Sequence, residues 1–187
     1  MALVINIDDI NKNIDYIGID EVGYGSWAGP LYICALKFIQ IPTVLFYDSK
    51  SISPKRREEL FVQIEQCARW NIGIASVAEI NNLGLAKAYK NALLAAASVF
   101  SPPFVLDGVK KKYFDSLTII GADQKVQAVA AASIIAKVLR DRYMQELSEQ
   151  YPCYCWDKNK GYGTAKHAAA IKSFGLTKEH RNYNLSK

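Results

Sequence analysis

Two apolar runs separated by a cluster of glycines constrain this chain more than any other feature. Tyr16-Ile-Gly-Ile-Asp20 alternates so that a strand sets Ile17 and Ile19 on one face and Tyr16, Gly18 and Asp20 on the other. Gly23, Gly25 and Gly29-Pro30 then break the chain, and residues 31–39 are bulky enough for a buried strand. A β-hairpin is predicted. It leaves Asp20-Glu21 at the end of its first strand, directly before the glycine-rich turn.

The rest of the pattern builds a sheet around that hairpin. Ser53-Pro54 reads as an N-cap followed by proline at the first helical position, with Leu60, Phe61, Ile64, Cys67 and Ala68 at helical spacing opposite Arg56, Glu59 and Glu65. Residues 71–77 read as a strand, 79–99 as a helix, and 104–107 and 117–120 as short strands. Residues 126–147 form the strongest helical segment, and small side chains over 128–136 let that helix approach a sheet closely. Residues 151–162 read as irregular, and Thr164 caps a last helix that runs through Phe174 and ends at Gly175. The expected fold is α/β: a mixed sheet flanked by helices over residues 1–150, with a short helical C-terminal extension over 151–187.

Composition narrows the class. With 187 residues, half of them hydrophobic and 22% charged, the chain suits one domain with a sizeable core and excludes a disordered, collagenous or coiled-coil protein. The first residues are apolar but short and lack a basic flank, so neither a signal peptide nor a membrane helix is expected. Four scattered cysteines, Cys34, Cys67, Cys153 and Cys155, read as reduced thiols in a cytoplasmic protein. Residues 1–136 balance at 13 basic and 13 acidic, whereas residues 137–187 hold 10 basic against 5 acidic, so the net +5 lies in the last quarter. Such a tail suits a polyanion, and a solvated helix face gives a similar count.

Three segments deliver carboxylates where a core pattern would not place them. Asp20-Glu21 ends the first strand, Asp107 ends Phe104-Val-Leu-Asp107 before Gly108, and Asp123 stands between a strand and the alanine-rich helix. Taken singly, each suits a turn or a cap. Neighbouring strands would bring them together, and such a cluster repels itself unless cations occupy it. Hard oxygen ligands with few histidines suit Mg²⁺ or Mn²⁺, a common arrangement for phosphodiester hydrolysis.

The residues from Tyr16 to Pro30, which include Asp20-Glu-Val-Gly-Tyr-Gly25 and Ser26-Trp-Ala-Gly-Pro30, resemble the N-terminal signature of ribonuclease HII, the type 2 ribonuclease H family. Further blocks match in the family order: Asp48-Ser-Lys50, Leu106-Asp-Gly108, residues 121–141 from Gly121-Ala-Asp123 to Arg140-Asp141, Gly161-Tyr-Gly-Thr164, and His180-Arg181. The resemblance implies a ribonuclease H-like fold and metal-dependent hydrolysis of RNA paired with or embedded in DNA, leaving a 3′-hydroxyl and a 5′-phosphate. It places the catalytic, metal-holding acids on Asp20, Glu21, Asp107 and Asp123, with Mg²⁺ or Mn²⁺ lowering the pKa of the attacking water and steadying the leaving oxygen. It implies substrate contact by Gly23, Tyr24 and Gly25 at the ribose 2′-hydroxyl, by Tyr162 on the next deoxyribose, and by Lys50, Thr164 and Lys137 at phosphates. The expected partner is an RNA/DNA hybrid or a DNA duplex containing ribonucleotides, bound by a monomer. One position departs: the family carries arginine where this chain has Tyr24, which removes a guanidinium from the turn. Two alternatives stand beside the main reading: a general hybrid nuclease without junction specificity, suggested by Tyr24, and a non-catalytic nucleic-acid-binding protein that keeps the fold and the basic tail.

Other features read as structural. Cys153, Cys155, His167 and His180 have the wrong spacing for a zinc finger. Gly23-Tyr-Gly25 lacks the ending of a phosphate-binding P-loop. Lys110-Lys-Lys112 reads as a solvated loop, Asp48 as a residue that orients Lys50, Asp141 as an ion-pairing residue, His180 as an anchor for the C-terminus, and Trp27, Trp70 and Trp156 as packing residues.

Overall fold

The computed structural model describes residues 6–182; the terminal residues 1–5 and 183–187, which the expected domain limits include, lie outside it. Its centre is a five-stranded mixed sheet in the order β3-β2-β1-β4-β5. Strands β1 (Ile17–Val22), β2 (Leu31–Phe38) and β3 (Ala68–Ala75) form an antiparallel meander. Strands β4 (Phe104–Asp107) and β5 (Leu117–Ile119) continue from β1 in parallel.

Helices cover both faces, as parallel strands require. On one face lie α2 (Pro54–Cys67) and α5 (Gln127–Gln150), packed through Leu60, Ile64, Ile134 and Ile135 against Cys34 and Leu36. On the other lie α3 (Val77–Leu83) and α4 (Leu85–Ala97), where Leu93 and Ala96 meet Ile17, Ile19, Ile33 and Leu106. The expected alternation along β1 holds: Ile17 and Ile19 join the α4 side, and Gly18 faces α5. The alanine-rich part of α5 does approach the sheet closely, since a Cβ at Gly18 would stand 2.2 Å from the Ala128 carbonyl carbon. A third core cluster joins α5 to the C-terminal segment through Ala28, Met144, Leu147, Tyr154, Trp156 and Ala170. That segment holds α6 (Trp156–Asn159) and α7 (Ala165–Phe174), the latter capped by Thr164 and stopped at Gly175 as expected.

Several boundaries differ from the sequence reading. The strand expected over 71–77 runs from Ala68 to Ala75, so Ala68, expected on the preceding helix, opens β3 instead. The single helix expected over 79–99 is two helices, because Gly84 takes φ +77 between them and Ser76 with Glu79 forms a capping box that starts α3 at Val77. Residues 151–162 are not wholly irregular: Pro152–Tyr154 makes a 3₁₀ turn before α6. A short helix α1 (Ile7–Lys12), capped by Asn6, precedes β1; only Ile10 of it is buried, too little to leave a periodic signal. No helix among the described residues is long and apolar enough to cross a membrane.

The contact at Gly18 gives a direct test. Gly18→Ala is expected to lower the urea midpoint with unchanged slope, costing about 1–3 kcal/mol or more for an overpacked core; an unaltered midpoint would show that α5 does not lie on β1.

Candidate active site

Parallel pairing aligns Ile17, Gly18 and Ile19 of β1 with Phe104, Val105 and Leu106 of β4. Continued by one residue, that register brings Asp20 and Asp107 side by side at the carboxyl edge of the sheet. Glu21 follows Asp20 and turns to the α4 side, where Tyr89 donates its hydroxyl to Glu21 Oε2 at 3.3 Å. After β5 the chain enters a 3₁₀ turn, Ala122–Gln124, that carries Asp123. The Ala122 N–H donates to Asp107 Oδ1 at 2.7 Å, tying the third and fourth acids together.

The cluster is electrostatically strained. Burial, and then the charges of Glu21, Asp107 and Asp123, hold the Asp20 carboxyl well above the usual carboxylate range. Burial and Asp107 raise Glu21 against the Tyr89 hydrogen bond and the charges of Lys111 and Lys50. Burial, Asp107 and Asp48 raise Asp123. Among the described residues none of the four acids forms an ion pair. Nor, among those residues, do three acids, histidines or cysteines make a finished metal cage; the four carboxyls are coupled by charge rather than by contact.

The glycine turn beside them is held from below by two buried guanidiniums. Arg140 of α5 donates to the carbonyls of Pro30 at 2.8 Å, Ala28 at 3.2 Å and Lys160 at 2.9 Å, and to Ser26 Oγ at 2.9 Å. Arg181 donates to the carbonyls of Gly29 at 2.8 Å, Gly23 at 2.7 Å and Tyr24 at 3.1 Å. Burial pushes Arg140 down to about 10, which still leaves it charged at neutral pH. The two turn glycines serve different ends. Gly23 has φ +88, and a Cβ there would strike the Arg140 guanidinium, whereas a Cβ on Gly25 would meet nothing within 4 Å. The bare backbone at Gly25 is therefore not demanded by packing within the protein.

Opposite the turn, Glu21, Val22, Ser49, Lys50, Lys137 and Tyr162 line a cavity of about 290 Å³. Burial works to lower the Lys50 ammonium, but Asp48, Asp20 and Asp123 outweigh it and raise it. The Asp48 carboxylate accepts the Lys50 N–H at 3.0 Å, in keeping with its expected orienting role. Lys137 pairs with Asp141 at 2.8 Å, and Arg57 reaches the same carboxylate at 3.7 Å. The Tyr162 ring lies under the Arg140 guanidinium at 5.5 Å. Thr164 does not line this cavity: its hydroxyl accepts the His167 N–H at 3.2 Å, and it borders a separate cleft with Cys155, Lys158 and Lys166.

Comparisons with known proteins decide the family. The Ribonuclease HII family model matches residues 17–185. The chain belongs to the ribonuclease HII family. It is 41% identical over 183 residues to Ribonuclease HII of Rickettsia bellii strain OSU 85-389, covering 95% of this chain and 93% of that one. It is 39% identical over 179 residues to Ribonuclease HII of Ehrlichia canis strain Jake, covering 91% and 86%. Among solved structures, the fold is similar to ribonuclease H2 of Pyrococcus horikoshii OT3, with TM-score 0.70, 25% identity and 89% and 92% of the two chains covered. The chain in the PCNA:RNase HII complex from Archaeoglobus fulgidus matches at TM-score 0.75 and 23% identity over 90% and 94%. Bst-RNase HIII in complex with Mn²⁺ matches at TM-score 0.67 and 16% identity over 95% and 70%.

As a ribonuclease HII, the chain is an endoribonuclease on a ribonuclease H-like fold, and several residues that build its site carry no sequence signal. Arg57 donates to the carbonyls of Ser49 at 2.7 Å and Ile52 at 2.6 Å, fixing the loop that presents Lys50. Ser133 of α5 accepts the Ser49 N–H and donates to the Ser49 hydroxyl. The four residues weighed for zinc separate into a pair and a remainder. His167 Nε2 lies 3.1 Å from His180 Nε2 and accepts Trp156 Nε1–H at 3.1 Å, while its Nδ1 faces the Tyr162 carbonyl at 3.0 Å. Burial and His167 push His180 down to about 4, so the pair is neutral and anchors the C-terminal segment beneath Tyr162. All four cysteines are free.

The raised acids predict how the metal-free protein responds to pH. Folded Asp20 keeps its proton to higher pH than the unfolded chain does. Stability therefore falls as pH rises through the usual carboxylate range to the raised value, and stays lowered above it. In chelator at pH 7–8, Asp20→Asn is expected to raise unfolding stability by about 0.5–2 kcal/mol, and to flatten the pH profile. A substitution that destabilises the chelated protein would show that the carboxylates are not strained.

Proposed function

We propose that Asp20, Glu21, Asp107 and Asp123 form the catalytic centre of a metal-dependent endonuclease that cleaves the RNA strand of RNA/DNA hybrids and ribonucleotides embedded in duplex DNA. The observation that carries this reading is the convergence of four carboxylates, none ion-paired among the described residues, from β1, β4 and the turn after β5. Their all-oxygen donor set and mutual repulsion fit Mg²⁺ or Mn²⁺. When bound, the metal would lower the pKa of an attacking water and stabilise charge on the scissile phosphate and the leaving 3′-oxygen.

The chain's own residues supply position. Arg181 clamps the Gly23 and Tyr24 carbonyls of the turn, and at Gly25, where a Cβ would meet nothing, the turn offers bare backbone against which a ribose can lie. Lys50 and Lys137 offset the negative charge of a phosphate next to the acids, and Tyr162 gives its ring to the neighbouring sugar. Thr164 contacts phosphate further along the strand, beside Lys158 and Lys166. In this reading residues 1–150 are the catalytic domain, and residues 151–187 are an extension that contributes to substrate binding. One chain supplies all four acids, so no second copy is needed to complete the centre, and the reading is of a cytoplasmic monomer.

Such an arrangement disfavours a non-catalytic binding module, because clustered carboxylates weaken the hold on a phosphate backbone. Asp107→Asn is expected to lower the cleavage rate by about 10³-fold or more, several kcal/mol of transition-state stabilisation, while hybrid binding stays measurable. Cleavage at the wild-type rate would refute the assigned centre.

Tyr24 bears on specificity. With no guanidinium on the turn, continuous hybrid and single-ribonucleotide duplexes are expected to be cut at rates within about tenfold of each other. Tyr24→Arg is expected to shift that ratio toward the single ribonucleotide. A strong preference for the single ribonucleotide in the wild-type protein would contradict weakened junction reading.

A further inference from the structure

From sequence, Lys110-Lys-Lys112 reads as a uniform solvated run, but the structure distinguishes its members. The chain leaves β4 through Gly108 at φ +94 and is pinned again at Phe114, which is buried with its ring centroid 5.0 Å from that of Phe104. The Phe114 N–H donates to the Lys111 carbonyl at 3.1 Å, closing a turn that starts at the middle lysine and has Lys112 and Tyr113 at its tip. Lys111 thereby turns inward, with Nζ 5.3 Å from the centroid of the Tyr89 ring, while Lys110 and Lys112 remain exposed.

Tyr89 links that lysine to the acids. It is buried on α4, donates its hydroxyl to Glu21, and receives the Tyr24 ring edge-on at 5.7 Å and 76°. Lys111 forms no ion pair among the described residues, so an aromatic face and the field of Glu21 hold its charge in place without a partner carboxylate consuming it. Lys50 stands on the other side of Glu21, in the cavity with Tyr162. Two ammonium groups thus flank one acid, from opposite faces of the sheet. A polyanion entering between them meets positive charge on both sides of a centre that would otherwise repel it. Lys111 lies on the side of the turn where Tyr24 brings no cation.

We propose that Lys111 is a phosphate-binding residue of the active-site cleft, and that Tyr89 is a positioning residue that holds both Lys111 and the Glu21 carboxylate. The proposal rests on the reading of the protein as a nuclease of ribonucleotide-containing duplexes.

The test measures hybrid affinity by fluorescence anisotropy in chelator, where binding is read without cleavage, across a series of salt concentrations. Each phosphate contact contributes about 0.9 to the slope of log affinity against log salt. Lys111→Gln is expected to lower that slope by about 0.9, and Lys111→Arg to restore it. Lys110→Gln and Lys112→Gln are expected to keep the wild-type slope. Tyr89→Phe, which retains the ring and loses the hydroxyl, is expected to bind as wild type and to show about tenfold lower kcat at unchanged KM. An unchanged slope in Lys111→Gln overturns the phosphate contact, as does an equal loss in the Lys110 and Lys112 variants. Wild-type kcat in Tyr89→Phe overturns the positioning role. If the wild-type protein cuts no ribonucleotide-containing duplex, the underlying reading fails. If it cuts and Lys111→Gln is indistinguishable from it, this proposal fails alone.

Discussion

Parallel pairing between β1 and β4, at the centre of a sheet whose other half is antiparallel, is the constraint on which the rest depends. Strands that run the same way end at the same edge, so residues following their last core positions must meet there. β4 ends in Asp107, β1 carries Asp20 and Glu21 among its last three residues, and β5, parallel to β4, feeds a third segment toward the same edge. The reversal from β1 to β2 then has to pass beside this edge, which is where the glycine turn lies. Fold and site are therefore one arrangement: pairing that buries Ile17, Ile19 and Leu106 also concentrates the carboxylates.

That concentration opposes folding, and the surroundings offset it. Like charges in a partly desolvated space destabilise the metal-free state. Their supports include charge-assisted hydrogen bonds to neutral backbone: Arg57, Arg140 and Arg181 each donate to main-chain carbonyls of loops around the site. The C-terminal segment contributes through backbone as well. The Gly161 carbonyl accepts the Trp27 and Ala28 N–H groups, and Arg181 N–H donates to the Trp27 carbonyl. The basic tail evident in the composition is thus partly internal framework; Arg140 and Arg181 are fully buried and hold the turn rather than facing a polyanion.

What sequence made legible was what depends on neighbours along the chain. Alternation in β1, the Ser53-Pro54 cap and the small residues of α5 are local patterns, and each appears in the structure where it was expected; of the acids, Asp107 ends β4 as expected, whereas Asp20 and Glu21 lie within β1, which runs on to Val22. What stayed hidden depends on distant partners. Tyr89 and Glu21 are 68 positions apart, and Arg181 and Gly23 are 158 apart; a tyrosine on a helix face or an arginine in a basic tail gives no hint of such a contact. The break at Gly84 was accessible in principle, because Ser76 and Glu79 form a capping box seven residues before Leu83, but continuous apolar spacing across 79–99 masked it. Lys111 is set apart from Lys110 and Lys112 by the Tyr89 ring, 22 positions away, and by its bond to Phe114, whose anchoring role becomes apparent once β4 and its neighbour Phe104 are placed.

The central claim is that four mutually repelling carboxylates from three segments form one cation-binding unit. Urea unfolding of the wild-type protein against increasing Mg²⁺ or Mn²⁺, at pH 6 and pH 8, tests it most directly, with Asp107→Asn as the comparison. Divalent cations are expected to raise the midpoint at both pH values, by no less at pH 8 than at pH 6 because burial and mutual repulsion favour the protonated carboxyls of Asp20, Glu21 and Asp123, and Asp107→Asn is expected to lose most of the gain. Equal shifts in the two proteins, or none in the wild type at either pH, would contradict it.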